Sequence, residues 1–321
     1  MDDSNNYQID VWKGDWGLPS IDIQCLQVLA YAKFSDVPLT IREINNPFRT
    51  PRGLLPVLRY DNKSLDSPDD IIQFFRKMNY TCDDSLTPKQ CADIVSYDHM
   101  LKESLYPAMQ YIWWIDQKNF TELMRPWYAK AIPFPLNFYY PSQYEKQAQA
   151  MMESLYPNEE SMSAIETNIY SKAQKCITLL SNRLGDDSDY FFGTKPTYLD
   201  AIVYSYLAPL LKLPLPNSSL QNHLKACTNL VKFISKISQR YFEQDYQNYE
   251  KIKAKEQPKN NCDDVDIEFP HKRRNQFIAG FIATLAMISY ALFTGIVEVT
   301  PIRDDDDTLD DHEDYMDDID D

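Results

Sequence analysis

Residues Phe277–Val297, FIAGFIATLAMISYALFTGIV, run for 21 positions without a charged side chain. As a helix the run spans roughly 31 Å, about the thickness of a bilayer's hydrocarbon core. A buried helix of a water-soluble core is the competing explanation. Soluble helices of this length seldom lack charge, and strongly polar chain brackets this one on both sides. We therefore read it as a single C-terminal transmembrane helix. The membrane-flanking residues Lys272, Arg273 and Arg274 precede it, beside His271, and the positive-inside tendency assigns that side to the cytosol. The N-terminal bulk of the chain is then expected to be cytosolic, with residues 298–321 across the membrane.

The span mixes Ala, Gly, Ser and Thr among Ile, Leu and Phe. A modest span with basic flanks suits the mitochondrial outer membrane better than the thicker plasma membrane. Residues 298–321 hold thirteen acidic side chains and one Arg, so they carry −12 of the net charge of −16. The remaining −4 is ordinary and suggests no basic face, which disfavours nucleic acid as a partner.

At 321 residues and 44% hydrophobic, the chain has length for about two domains and enough apolar surface for a sizeable core. Its seven glycines form neither GxGxxG nor GxxxxGK, so neither standard phosphate-cradling loop is present. The six cysteines form no CxxC. The start, MDDSNNYQID, is acidic and lacks an apolar stretch, so neither a secretory signal nor an Arg-rich presequence is expected. That favours a reducing compartment and free thiols over the framework of three disulfides that six cysteines also allow.

Alternation and β-formers predict strands at Tyr7–Trp12 and Leu39–Ile44, with a helix from Ser20 to Phe34 between them. Pro56 precedes a third strand, Val57–Tyr60. Asp61 and Asn62 suit a hairpin turn into a fourth at Lys63–Asp66. Ser67 before Pro68 marks entry to a helix ending at Lys77. This order is that of a thioredoxin-like domain, with Pro56 where that fold carries a cis-proline. Long helical patterns follow. Ile165, Ile169, Ala173, Ile177, Leu180 and Leu184 form one apolar stripe, and Thr197-x-x-Asp200 opens another apolar run as a capping-box variant. The expectation is an α+β, glutathione-transferase-like fold. Its parts are a thioredoxin-like domain at 1–82, a helical domain at 83–245, a polar, irregular tether at 246–276, the anchor at 277–297 and an acidic tail.

A transferase of this fold needs a Tyr, Ser or Cys near the end of the first strand to support the glutathione thiolate. The loop KGDWGLPS offers only Ser20, which serves equally as a helix cap, while Cys25 falls inside the helix as a small core residue. Ser20, Pro56 and Ser67 are weak glutathione-site candidates. No catalytic residue, cofactor or metal ligand set is assigned. The stretch 111–141 is unusually dense in aromatics. Trp113, Trp114, Trp127, Tyr128, Phe134 and Phe138 are candidates for a partner interface, with a thick domain core as the competing explanation.

WIDQKNF at 114–120 and PWYAKAIPFPLNFYYP at 126–141 resemble the hallmark of the metaxin family, in its metaxin-1 type. FFGTKPTYLDAIVYSYLAPLL at 191–211 and NPFRTPRGLLPVLRY at 46–60 are similar to two further metaxin blocks. The resemblance covers about residues 7–300. It implies a transferase-like fold on the cytosolic face of the mitochondrial outer membrane, acting without catalysis in protein import and β-barrel assembly. The implied partners are a second metaxin of the metaxin-2 type and the barrel-shaped core subunit of the sorting and assembly machinery. Motor adaptors are implied by a link to mitochondrial transport. Two other functions compete: a membrane-anchored glutathione-dependent transferase, and an adaptor coupling mitochondria to transport machinery. The tail beyond Pro301 lies outside the resemblance.

Overall fold

Strand β1 (Tyr7–Trp12) turns Tyr7, Ile9 and Val11 into the core, as its alternation requires. It pairs in parallel with β2 (Leu39–Ile44), Tyr7 opposite Leu39 and Trp12 opposite Ile44. A parallel pair needs a crossover, supplied by α1 (Ile23–Phe34). β3 (Val57–Tyr60) runs antiparallel to β1, and β4 (Lys63–Leu65) returns from it, giving the order β2-β1-β3-β4. Asp61 and Asn62 join the hairpin with φ of 43° and 60°, the left-handed pair that a two-residue turn between twisted strands requires. The Leu55–Pro56 peptide is cis. Asp10 alternates with the core residues of β1 yet is fully buried. Its carboxylate accepts from Arg42 on β2 at 2.7 and 2.8 Å and from Arg59 on β3 at 2.8 Å. These charge-assisted bonds tie three strands together side chain to side chain.

The computed structural model describes residues 7–46, 48, 50–157, 161–256, 280, 281, 283–285 and 287–290. It comprises two units, Met1–Pro270 and His271–Asp321. In the first, α2 (Pro68–Lys77) closes the sheet domain, and the rest is helical. Thr87 and Gln90 form a reciprocal cap on α3 (Pro88–Met100). Short helices α4 (Tyr106–Gln110), α5 (Gln117–Asn119) and α6 (Arg125–Ala131) alternate with wide π-type turns at Leu101–Leu105, Tyr111–Ile115 and Phe120–Met124. Pro107 and Pro126 have no N–H to offer the preceding turn, and the helix widens just before each. In the middle wide turn, which precedes no proline, all five residues of Tyr111–Ile115 are buried.

Long helices α7 (Leu136–Leu155) and α8 (Met162–Leu184) follow, and the buried stripe of α8 is the one read from sequence. Helix α9 (Tyr198–Lys212) is apolar on every side, and Leu199–Leu210 is buried throughout. Such a helix has to be central, and it packs directly on α1. α10 (Ser219–Ala226) and α11 (Thr228–Tyr241) cover it. The tether does not begin as irregular chain: Glu243–Glu256 is helix α12. Its Tyr249 side chain lies 3.5 Å from where a Cβ on Gly17 would stand, at a φ of +75°. Lys212 donates to the Gly17 carbonyl at 3.1 Å and lies over the Tyr246 ring. Polar sequence hid this helix because it is held by a few such contacts and not by an apolar stripe.

Among the described residues, no helix is long and apolar enough to cross a membrane. The span read at 277–297 falls largely outside them. Its described positions are helical, with Phe281, Leu285, Met287, Ile288 and Tyr290 all exposed. The basic flank Lys272, Arg273 and Arg274 and the tail from 298 lie outside the described residues, as do tether residues 257–276. Cys25, Cys82, Cys91, Cys176 and Cys227 are free thiols.

Asp200, at the third position of α9, accepts from the Thr197 N–H and hydroxyl at 2.7 Å each and from the Phe191 N–H at 2.9 Å. Asp200→Ala should cost about 3 kcal/mol in urea unfolding, roughly 1 kcal/mol per lost bond. Burial raises its carboxyl from 3.8 to about 6. The folded state then binds more protons than the unfolded state between those values, so this residue's contribution to stability falls as pH rises from about 4 to 6. Wild type should lose stability relative to Asp200→Asn by about 2–3 kcal/mol over that window and track it above. A constant difference across the window would refute the assignment.

Candidate functional site

Where β1 ends, α1 begins and the helical domain closes over both, there is a cavity of about 150 Å³. Its walls include Trp12 from β1, Asp22 and Ile23 from the head of α1, and Leu55 before the cis bond. Tyr106 and Gln110 from α4, Trp113 and Trp114 from the wide turn, Tyr128 from α6 and Tyr144 from α7 complete the enclosure. Gln24, Leu54 and Gln147 are exposed at its mouth. The aromatic rings interlock: Trp12 meets Tyr128 edge-on at 5.4 Å, and Trp114 lies 5.1 Å from Tyr128 and 5.0 Å from Tyr144. Loop 13–20 abuts this corner. A Cβ on Gly14 would stand 2.2 Å from the Leu18 carbonyl oxygen, so the loop closes on itself only with glycine there. Asp15 accepts the Trp127 indole N–H at 2.8 Å, a bond between the two domains.

The cap of α1 is Asp22, not Ser20. The Asp22 side chain accepts the Cys25 N–H at 2.9 Å, while fully buried Ser20 accepts the Asp22 N–H at 3.3 Å. Ser67 heads α2 without a capping hydrogen bond from its side chain. Neither serine lines the cavity, and Pro56 borders it only through Leu55. None of the three glutathione candidates is therefore a wall of this cavity. Burial raises the Asp22 carboxyl above its ordinary value, against the lowering effect of the Cys25 N–H. Burial, then the nearby Asp22 charge, pushes the Cys25 thiol well above its ordinary value. Burial also raises the Tyr128 and Tyr144 phenols. At neutral pH burial thus disfavours the thiolate of Cys25 and the phenolates of Tyr128 and Tyr144. No group of residues able to hold a metal occurs among the described residues.

The aromatic candidates divide. Trp113, Trp114 and Tyr128 are core, each about 95% buried, and so are not an exposed partner surface. Trp127 is half-buried at the domain junction. Phe134 and Phe138 pack edge to face at 6.1 Å near the surface, with Phe138 44% exposed. Reading by residue type missed Asp22, Tyr144 and the three glutamines. Asp22 alone carried a local signal: an Asp just before the apolar run of α1 is a cap in the preferred position.

This chain is 40% identical to metaxin-1 of Macaca fascicularis over 300 residues, 91% of this chain and 92% of that one. It is 34% identical to the metaxin-1 homolog of Drosophila melanogaster over 89% of each chain. The chain belongs to the metaxin family. Metaxin-3 of Xenopus laevis is 40% identical over 74% of this chain and 77% of its own. A family profile described as "Outer mitochondrial membrane transport complex protein" matches residues 25–145. One described as "Glutathione S-transferase, C-terminal domain" matches 173–237. Among solved structures, the β-etherase LigF from Sphingobium sp. strain SYK-6 superposes with a TM-score of 0.53 at 12% identity, over 76% of this chain and 99% of that one. That likeness is one of fold. This metaxin has a glutathione-transferase-like fold with a thioredoxin-like part and a helical part.

Burial predicts thiol reactivity in this metaxin. A maleimide at pH 7.5 should label exposed Cys91 under native conditions and reach Cys25 and Cys176 only after unfolding, read by mass spectrometry. Rapid native labelling of Cys25 would show an accessible thiolate and contradict the site as described.

Proposed function

We propose that this chain is a non-enzymatic subunit of mitochondrial outer-membrane protein import and β-barrel assembly, working through protein contacts on the cytosolic face. Membership of the metaxin family over nine-tenths of the chain carries the proposal. The matched profile, whose description names an outer mitochondrial membrane transport complex, supports it. The partners are a second metaxin of the metaxin-2 type and the barrel-shaped core subunit of the sorting and assembly machinery. Residues 277–297 serve as the anchor, with 1–82 and 83–245 as the two cytosolic domains and the acidic tail in the intermembrane space. The exposed apolar side chains at 281, 285, 287 and 288 support that role, since bilayer is the environment in which such a helical surface needs no further cover.

Chemistry supports the absence of catalysis. In an active transferase the head of α1 helps to stabilise the ligand's thiolate. Here the Asp22 carboxylate already accepts the Cys25 N–H in the first turn of that helix. A second anion there would meet like charge at close range.

Two outcomes test the proposal. Mitochondria lacking this chain should assemble newly imported porin several-fold more slowly, and restoring the chain should recover the rate. Unchanged porin assembly would remove the proposed role. The protein should also be neither retained by immobilised glutathione nor active in conjugation with a standard electrophile at millimolar glutathione. Turnover above background would favour the transferase reading instead.

A further inference from the structure

We infer that the interdomain cavity is a binding site for a small quaternary ammonium group, with Asp22 as its counterion and Trp12, Trp113, Trp114, Tyr128 and Tyr144 as its walls. This does not depend on the proposed role in import.

Three observations carry it. The first is the charge balance of the lining. Among the described residues, the cavity wall contains one acidic side chain and no Lys, Arg or His. Asp22 pairs with no cation among them, and its only hydrogen-bonding service is to the head of its own helix. A partly buried carboxylate without a counterion is costly, and a bound cation removes that cost. An anionic guest has no positive side chain to meet.

The second observation is the aromatic enclosure. Ring centroids 5.0–5.4 Å apart link Trp12, Trp114, Tyr128 and Tyr144, four of the six aromatic residues in the wall. Aromatic walls attract a cation through the ring quadrupole, and a trimethylammonium head gives up its water to such walls more readily than a compact primary ammonium. A cavity of about 150 Å³ is the size that holds one benzene-sized group, which matches such a head.

The third is the Trp113 indole N–H. The residue lines the cavity and is about 95% buried, and its N–H has no acceptor among the described residues. Buried donors are seldom left unpaired. The nitrogen itself is closed off from the cavity, so a guest oxygen two carbons from the ammonium, as in an amino alcohol, supplies the missing acceptor once the ring turns inward.

The test uses the full chain in dodecyl maltoside micelles, whose sugar headgroup brings no choline. Tetramethylammonium, choline and phosphocholine are titrated at fixed ionic strength, and the intrinsic fluorescence of the cavity tryptophans is followed. Tetramethylammonium and choline should each give a saturable change, with choline tighter. The carbon isostere of choline, uncharged but of the same shape, should bind about tenfold more weakly or not at all. Asp22→Asn keeps an equally good helix cap and removes an uncompensated charge, so its thermal unfolding should come no lower than wild type while choline affinity falls about tenfold. Phosphocholine identifies the source. Weaker binding than choline assigns a free amino alcohol, because its phosphate meets no cation in the wall, and tighter binding assigns a lipid headgroup. The inference is overturned if no titration saturates, if the isostere binds as well as choline, or if Asp22→Asn leaves affinity unchanged.

Discussion

Asp83 stands where the sheet domain hands over to the helices, and the two domains share its carboxylate. One oxygen accepts from Arg76 on α2 at 2.7 Å, and the other accepts the backbone N–H of Tyr198, at the start of α9, at 2.9 Å. The Arg76 guanidinium lies over the rings of both Tyr31 on α1 and Tyr198, 5.6 and 4.9 Å from their centroids. Gln27 on α1 donates to the Tyr198 hydroxyl at 2.9 Å. One cluster thereby fixes α1, α2, α9 and the connecting chain, and everything between the domains inherits its geometry. A planar guanidinium can serve two rings and a carboxylate together, which a lysine cannot.

The aromatic cavity lies at the domain boundary, beside the Asp15–Trp127 bond. Its character follows from two details of α1. The helix begins at Ile23, and its capping group is a carboxylate. The same N-terminal field that could hold a thiolate is therefore already in use, while the cysteine one turn in is buried and protonated. At the head of α1 the cleft thus presents a carboxylate where thiol chemistry calls for a positive field. What remains is an apolar enclosure with one acid, which suits contact or binding better than group transfer.

Much of this was legible residue by residue. The strands Tyr7–Trp12, Leu39–Ile44 and Val57–Tyr60, the helix Pro68–Lys77, the stripe of α8 and the cap at Thr197–Asp200 have the bounds that periodicity and capping chemistry gave them, because each signal is local. The cavity was not legible. Its walls come from positions 12 to 147, and no local pattern says that Tyr144 will face Trp114. Aromatic density in 111–141 fixed the presence of large rings but not their direction. The wide turn Tyr111–Ile115 decided it, turning five consecutive residues inward. Helix α12 was missed for the opposite reason, since it is polar nearly all round and held by single contacts such as Lys212 to Gly17.

The proposed role joins a transferase-like body, acting without catalysis, to a chain end read as a membrane anchor. Such a body acts by what it holds, so its partners define it. Purification of the full chain from mitochondria in mild detergent, with identification of what accompanies it, tests this most directly. A second metaxin and the barrel-shaped core subunit of the sorting and assembly machinery should co-purify at near-stoichiometric levels. Recovery of the chain alone, or with neither of these, would contradict the account.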